Sequence, residues 1–345
     1  MIVKQRNVKF DALKGLACVL IVFIHRPFPG LIGDIISGIA RSGVAVFFIS
    51  SGFYTYYEND NIILQQLPHK ISHVKRILIG ALLFYLIWES FIRWYGSGFA
   101  SMYNWIMTHV IDVKTWYKVL VWDYDPFAGH LWFLFALLRC YLLFYIMVKS
   151  KLLRYAKICS AVCMIGVLVL QKICADMLYY RNGWLYGLGF FLMGYLLAEN
   201  KEKMLKTENG CFWIAVGVIV TIIECFISKK QQMYIGTIIT AVNSFAITCK
   251  NPSVKNQVVS FFALLGEKYS MLIYIVHWSI KEIFIKIDKM VAFSMDNWYL
   301  WISPIALVFM SIVMSFFVRQ IAIWINKIWE VKIEKYRVKN KRKHW

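Results

Sequence analysis

The chain has 345 residues, of which 60% are hydrophobic, 17% aromatic and only 17% charged, and its mean hydropathy is +0.57. So few charged side chains could not cover the surface of a soluble domain, and the composition indicates an integral membrane protein. The apolar runs approach twenty residues and are rich in Leu, Ile, Phe and Ala, which indicates membrane-spanning helices rather than strands of alternating hydrophobicity.

The net charge of +20 comes from short basic clusters that lie between the apolar runs. Because these charges do not form one patch, we expect anionic lipid as their partner and no binding of nucleic acid. Most of the eight cysteines lie inside apolar runs, and no pair has zinc-ligand spacing with histidines nearby. We therefore predict no metal site.

Ten apolar stretches are long enough to be membrane-spanning helices. They cover residues 10–28, 38–57, 77–95, 131–148, 157–175, 184–198, 212–227, 233–249, 267–285 and 299–324. Of the 39 lysines and arginines, 24 fall on the side that would carry both termini and 11 on the other. This bias predicts an all-α polytopic membrane protein with both termini cytoplasmic, in which residues 1–330 form the membrane domain and residues 331–345 a basic cytoplasmic tail.

The first predicted span carries two ionisable side chains on one face. Lys14 and His25 are eleven residues apart, which places them within about 20° of each other around a helix and about 16 Å apart along it. Ionisable groups are costly in hydrocarbon and usually mark function there. Asp11 precedes Lys14 by three residues, so we expect an intrahelical ion pair, and such a pair would account for Asp11 by itself.

A long outer segment and two arginines within predicted spans are further features of the sequence. Residues 96–130 form a long segment on the outer side, whose apolar middle predicts either an interfacial or re-entrant helix over a cavity or an ordered loop. Arg41 and Arg139 lie deep in spans 2 and 4, where an unpaired guanidinium is costly. We expect Glu89 or Glu224 to pair with one of them, and structural pairing and substrate binding are equally open for both.

Four sequence motifs follow one another in chain order. They are Arg6-Asn-Val-Lys-Phe-Asp11-Ala-Leu-Lys14-Gly-Leu-Ala with His25 beyond it, Val46-Phe-Phe-Ile-Ser-Ser-Gly52, His130-Leu-Trp-Phe-Leu134, and Gly266-Glu-Lys-Tyr-Ser270-Met-Leu-Ile-Tyr274-Ile-Val-His277. The set resembles the membrane-bound acyltransferase-3 family, whose members open with an arginine, Asp-Gly-Leu-Arg-Gly-like residues and a histidine eleven positions after the basic residue. Where that family often has two arginines three apart before span 3, this chain has His73 and Arg76, with Lys75 between them.

The resemblance implies an inner-membrane enzyme of bacterial type that moves an acyl group, in the simplest case acetyl, from cytosolic acyl-CoA to a hydroxyl of a cell-envelope polysaccharide or glycolipid. His25 is the candidate general base, because histidine titrates near neutrality and can take the proton of the attacking hydroxyl. Lys14, Arg76 and Lys75 are the candidate cations for the phosphates of the acyl-CoA donor. Lys14 could alternatively extend toward lipid headgroups.

The remaining candidate residues of the spans have either a functional or a structural role. We place Asp11, Arg41, Arg139, Trp132 and His277 in a polar network that either contacts substrate or supports the structure. Trp132 and Tyr274 are expected to line a cavity or to pack as core aromatic residues. A secondary transporter or lipid-linked sugar flippase is the rival function, and it predicts paired broken helices in two similar halves, for which the sequence shows no repeat.

Overall fold

The computed structural model describes residues 7–206, 208–228, 231–250, 256–291 and 297–341, and within these residues the regular structure is helical and no strand occurs. The helices are α1 (Val8–His25), α2 (Gly30–Ala40), α3 (Ser42–Phe53), α4 (Asp60–Trp105), α5 (Val113–Trp122), α6 (Trp132–Lys149), α7 (Ala156–Ile173), α8 (Leu188–Glu199), α9 (Lys201–Lys206), α10 (Gly210–Ile227), α11 (Ile235–Lys250), α12 (Gln257–Lys268), α13 (Ser270–Val291) and α14 (Asn297–Lys341). The backbone of residues 331–341 in the predicted tail continues α14, and residues 342–345 lie outside the described part.

Each of the ten predicted spans overlaps a helix, but fewer of them are long and apolar enough to cross a membrane by themselves. Six are in the described part of the chain, or seven if the bent pair α12 and α13 counts as one span. The helix α1 is long enough but not apolar enough to count as a span, because its eighteen residues include three charged side chains, Lys9, Asp11 and Lys14. Two others, the helical stretch 183–199 and α11, are shorter than eighteen residues.

Three predicted spans have different bounds in the structure. The second begins at Gly30 and breaks at Arg41 into α2 and α3. The third is part of the much longer α4, because polar residues from Asp60 onward form helix although they add nothing to an apolar window. The ninth is bent by 81° between α12 and α13. Hydropathy detects apolar length, and it does not detect a break within an apolar run.

The helix α1 lies among α3, α11, α12 and α13 and packs most extensively along α12. Gly15 and Gly266 allow the two backbones to approach: a Cβ on Gly266 would lie 1.8 Å from the carbonyl oxygen of Asp11. At the start of α1 the Asn7 side chain accepts a bond from the Phe10 N–H and donates one to the Thr248 carbonyl in α11, at 2.9 and 2.7 Å. These contacts fix α1 in the interior of the bundle.

Candidate active site

A cavity lies beside the C-terminal half of α1. His25 and His130 are at one end of its lining, and Cys18, seven residues before His25, lies about 10 Å away along the helix. The other lining residues are Ile21, Val44, Phe47, Trp132, Phe133, Ser270, Met271 and Tyr274. The cavity is therefore mostly apolar, with imidazole groups at one end.

Three histidines from distant parts of the sequence meet at that end. The ring centres of His25 and His277 are 5.0 Å apart, those of His130 and His277 are 4.8 Å apart, and those of His25 and His130 are 6.4 Å apart. His25 and His130 line the cavity, whereas His277 is fully buried behind them. No group of three or more His, Cys, Asp or Glu side chains in the described part of the chain is arranged to hold a metal ion.

Hydrogen bonds fix the tautomers of two of these histidines. The Nδ1 atom of His130 lies 3.0 Å from the Ala128 carbonyl oxygen, and that of His277 lies 3.1 Å from the Ile273 carbonyl oxygen. A carbonyl oxygen only accepts, so each Nδ1 carries the proton and each Nε2 has a free lone pair. Both Nε2 atoms are buried and have no hydrogen-bond partner among the residues that the structure describes. Burial lowers the pKa of His130 well below its usual value, and this ring is therefore neutral at neutral pH.

The indole of Trp278 packs against two of the three imidazoles. Its ring stacks on His130 with centres 5.3 Å apart and an interplanar angle of 14°, and it meets His25 edge-on, also at 5.3 Å. The Trp278 Nε1–H donates to Oε1 of Glu282 at 3.1 Å, and the Trp88 Nε1–H donates to Oε2 of the same carboxylate at 2.8 Å. Glu282 thus ties α4 to α13 and holds the Trp278 ring in place.

The conformation of the loop before α6 places His130 at the end of the cavity. Asp125 is buried and accepts bonds from the backbone N–H groups of Phe127, Ala128 and Leu131 at 3.0, 3.2 and 2.6 Å. Burial raises the pKa of Asp125, and these three bonds act in the opposite direction. Gly129 has φ +64°, and a Cβ there would lie 2.9 Å from the Trp278 ring, so a larger residue would be both strained and in collision.

Arg139 has a structural partner that the sequence did not indicate. Its Nε–H lies 2.9 and 3.0 Å from the two oxygens of Asp123, and the Gly183 N–H donates to the same carboxylate at 2.7 Å. Our expectation that Glu89 or Glu224 pairs with Arg41 or Arg139 is wrong. Glu89 accepts from Arg93 one turn away, and Glu224 accepts from the backbone N–H groups of residues 235 and 236 at the start of α11.

The predicted donor-binding cations are in separate places. Lys14 forms the expected ion pair with Asp11 at 2.8 Å, and its ammonium also lies over the Phe10 ring. It is one turn beyond Cys18, where the lining of the cavity ends. Lys75 and Arg76 are exposed on α4, which packs against α6 and not extensively against α1. No contact of the described residues joins them to Lys14.

Sequence reasoning missed several residues of this site. His130 opened one of the four motifs but was not chosen, although a histidine next to a buried span is itself a signal. Trp278 follows His277 directly, and the spacing from Trp278 to Glu282 is one helical turn. The indole of Trp88, which also bonds Glu282, is 194 residues away along the chain, and nothing local indicates that contact.

The profile of a protein family described as an acyltransferase domain matches residues 7–322 of this chain. No curated protein and no solved structure gives a significant match. The family match covers nearly all of the chain, including every element that contributes to the cavity and to the three histidines.

Proposed function

Because this chain belongs to the acyltransferase-3 family and is a membrane acyltransferase, we propose that it moves an acyl group, in the simplest case acetyl, from cytosolic acyl-CoA to a hydroxyl of a cell-envelope polysaccharide or glycolipid. We place the enzyme in the bacterial inner membrane, with both termini in the cytoplasm. The observation that carries the proposal is the apolar cavity that begins at His25 and His130 and runs along α1 toward Lys14.

His25 is the general base in this mechanism. It takes the proton of the acceptor hydroxyl while the hydroxyl oxygen attacks the thioester carbonyl carbon, forming a tetrahedral intermediate. The intermediate collapses by breaking the carbon–sulfur bond, and the proton on His25 passes to the leaving thiolate. The products are the acyl ester and free CoA, and the imidazole returns to its neutral form. No covalent acyl-enzyme is required.

The neighbouring imidazoles support His25 in different ways. His277 offers a free Nε2 lone pair, and its ring centre lies 5.0 Å from that of His25; in the proposed mechanism the His25 ring turns to donate its N–H to this atom when the acceptor binds. Such a bond would set the tautomer of His25 so that its other nitrogen faces the hydroxyl. His130 lies across the cavity end, and its free Nε2 accepts a hydrogen bond from a neighbouring hydroxyl of the acceptor. The Trp278 ring closes this end against water.

The donor enters from the opposite end of α1. Lys14 and, from a separate position about four turns into α4, Lys75 and Arg76 bind the phosphates of the donor, and the pantetheine arm extends along the apolar cavity. The rise of α1 between Lys14 and His25 is about 16 Å, which suits an extended pantetheine arm. The ion pair with Asp11 reduces the charge that Lys14 presents, so the two α4 cations supply most of the attraction.

The experiment is the replacement His25→Ala in the full-length protein reconstituted in lipid nanodiscs. Labelled acetyl-CoA and an envelope extract serve as substrates, and label in the macromolecular fraction is the measurement. We expect no transfer by His25→Ala and normal transfer by His69→Ala, since His69 is an exposed histidine on α4. Full transfer by His25→Ala, with a melting temperature equal to that of the native chain, would reject this mechanism. Solute movement without any acyl transfer would favour the transporter instead.

A further inference from the structure

The interior arginines of this protein fall into two groups according to their partners. Arg26 pairs with Asp288 at 3.0 Å, Arg93 pairs with Glu89, and Arg139 pairs with Asp123 at 2.8 Å. A guanidinium that meets a carboxylate in this way is balanced in charge, and its role is to hold two elements together.

Arg41 and Arg181 form the second group, since no ion pair joins either of them to a carboxylate of a described residue. Arg41 donates to the neutral amide oxygen of Gln232 at 2.7 Å. Arg181 lies over the face of the Trp132 ring at 5.1 Å, and its buried Nε has no hydrogen-bond partner in the described part of the chain. Both guanidinium groups therefore have N–H donors that the described part of the protein leaves unused.

Arg41 lies close enough to Arg181 for its positive charge to act on the Arg181 guanidinium. Burial lowers the pKa of Arg181 to about 10, and the positive charge of Arg41 acts in the same direction. Asp125 is the acidic side chain whose charge reaches Arg181, but its oxygens already accept three backbone N–H bonds. The pair is thus a concentration of positive charge that lacks an equal counter-charge.

Arg181 adjoins the candidate active site through Trp132, and Arg41 precedes Val44 of the cavity lining by three residues. Trp132, on which Arg181 rests, lines the same cavity as His25 and His130. Arg181 is also near enough to His25 for its charge to act on that imidazole. It precedes the helical stretch 183–199, at the end of the bundle that carries His130, whereas Lys14 is about 16 Å from His25 at the other end of α1.

We propose that Arg41 and Arg181 bind an anionic group of the acceptor, a phosphate or a carboxylate, and so select an acidic glycan or a phosphate-bearing glycolipid. This inference rests on the proposed transfer reaction. Two guanidinium forks supply the planar, paired donors that such oxygens need. Gln232 and Trp132 hold the two guanidinium groups in place before the acceptor binds, which reduces the side-chain entropy that is lost on binding.

The test uses the full-length protein in nanodiscs, with labelled acetyl-CoA and an envelope extract as the acceptor pool. Products are separated on an anion exchanger. We expect the label in the retained, acidic fraction, and a loss of about 30-fold in Arg41→Gln and Arg181→Gln. Arg154→Gln is the matched control, because Arg154 is an exposed arginine over the Tyr155 ring in the α6–α7 connection.

Label in the unretained, neutral fraction would overturn the inference, and so would native rates in both glutamine variants. Absence of transfer by the native protein to any fraction would instead reject the proposed function itself. Phosphatase treatment that frees the label from the exchanger identifies a phosphate, whereas carbodiimide coupling that does so identifies a carboxylate. If a glutamine variant does not fold, Arg41→Lys and Arg181→Lys replace it, because lysine keeps the positive charge but lacks the planar, paired N–H donors of arginine. The inference then requires a raised KM for the acceptor with little change in kcat.

Discussion

Glu282 is the residue whose replacement tests most directly whether the Trp278 ring positions the histidines. Its two oxygens accept the indole N–H groups of Trp88 and Trp278 at 2.8 and 3.1 Å. The change Glu282→Leu removes both acceptors at similar volume. The Trp278 indole, which stacks on His130 and meets His25, then loses the bond that fixes its orientation.

The size of the effect follows from these two bonds. Each indole bond to the carboxylate contributes about 1.5–3 kcal/mol, so the loss of both costs about 3 kcal/mol at the lower limit. Partial exposure of Glu282 and relief of its repulsion with nearby Glu89 offset part of this cost, and we expect a net loss of about 2 kcal/mol. Displacement of the ring by about 1 Å at the reacting centre reduces kcat by about 100-fold.

The assay compares three variants by thermal unfolding in detergent and by acyl transfer in nanodiscs. Glu282→Leu should lower both stability and kcat, while Glu282→Gln, which retains one acceptor oxygen, should keep most of the stability. Trp88→Phe removes only the bond on α4 and should leave kcat within about threefold of the native value. Glu208→Leu is the control, because Glu208 is an exposed carboxylate in a loop. A native kcat in Glu282→Leu would refute the positioning role of the Trp278 ring.

Two further predictions concern stability. Arg139→Gln leaves the Asp123 carboxylate buried without its cation and should destabilise the protein by about 3 kcal/mol in thermal unfolding. Arg154→Gln is the control and should have no effect. Equal melting temperatures of the two variants would contradict the structural role of the Arg139–Asp123 pair. The pKa of His130 is lowered in the folded protein, so the unfolded chain binds more protons below about pH 6.5. The free energy of unfolding should therefore fall as pH decreases through that value. The slope of this free energy against pH should be smaller in His130→Gln. An unchanged slope in that variant would show that His130 is not the group that titrates.

The sequence predicted best those features that one helix determines by itself. The face shared by Lys14 and His25 and the ion pair of Lys14 with Asp11 both follow from helical spacing. The same holds for the approximate positions of the ten helices, because a long apolar run has few other structures available to it.

Contacts between distant segments could not be predicted in this way. The meeting of His25, His130 and His277 depends on how α1, α13 and the loop before α6 pack, and many side-chain pairs are compatible with the same apolar pattern. The partner of Arg139 was missed for the same reason, since Asp123 lies in a loop and its carboxylate accepts bonds from Arg139 and from the backbone N–H of Gly183, which is 60 residues away along the chain. Composition indicated that a buried arginine needs a partner but not which one.

The partners of the cations also indicate how donor and acceptor are kept apart. In a medium of low dielectric constant, an arginine that already meets a carboxylate gains little from a further anion, while an unpaired one gains much. The paired arginines Arg26, Arg93 and Arg139 therefore stabilise the bundle, and we propose that Arg41 and Arg181 attract a charged acceptor to the histidine end of α1. In the proposed mechanism the donor phosphates bind Lys14 at the other end of α1, so two anionic substrates approach His25 from opposite sides without competing for one cluster of charge.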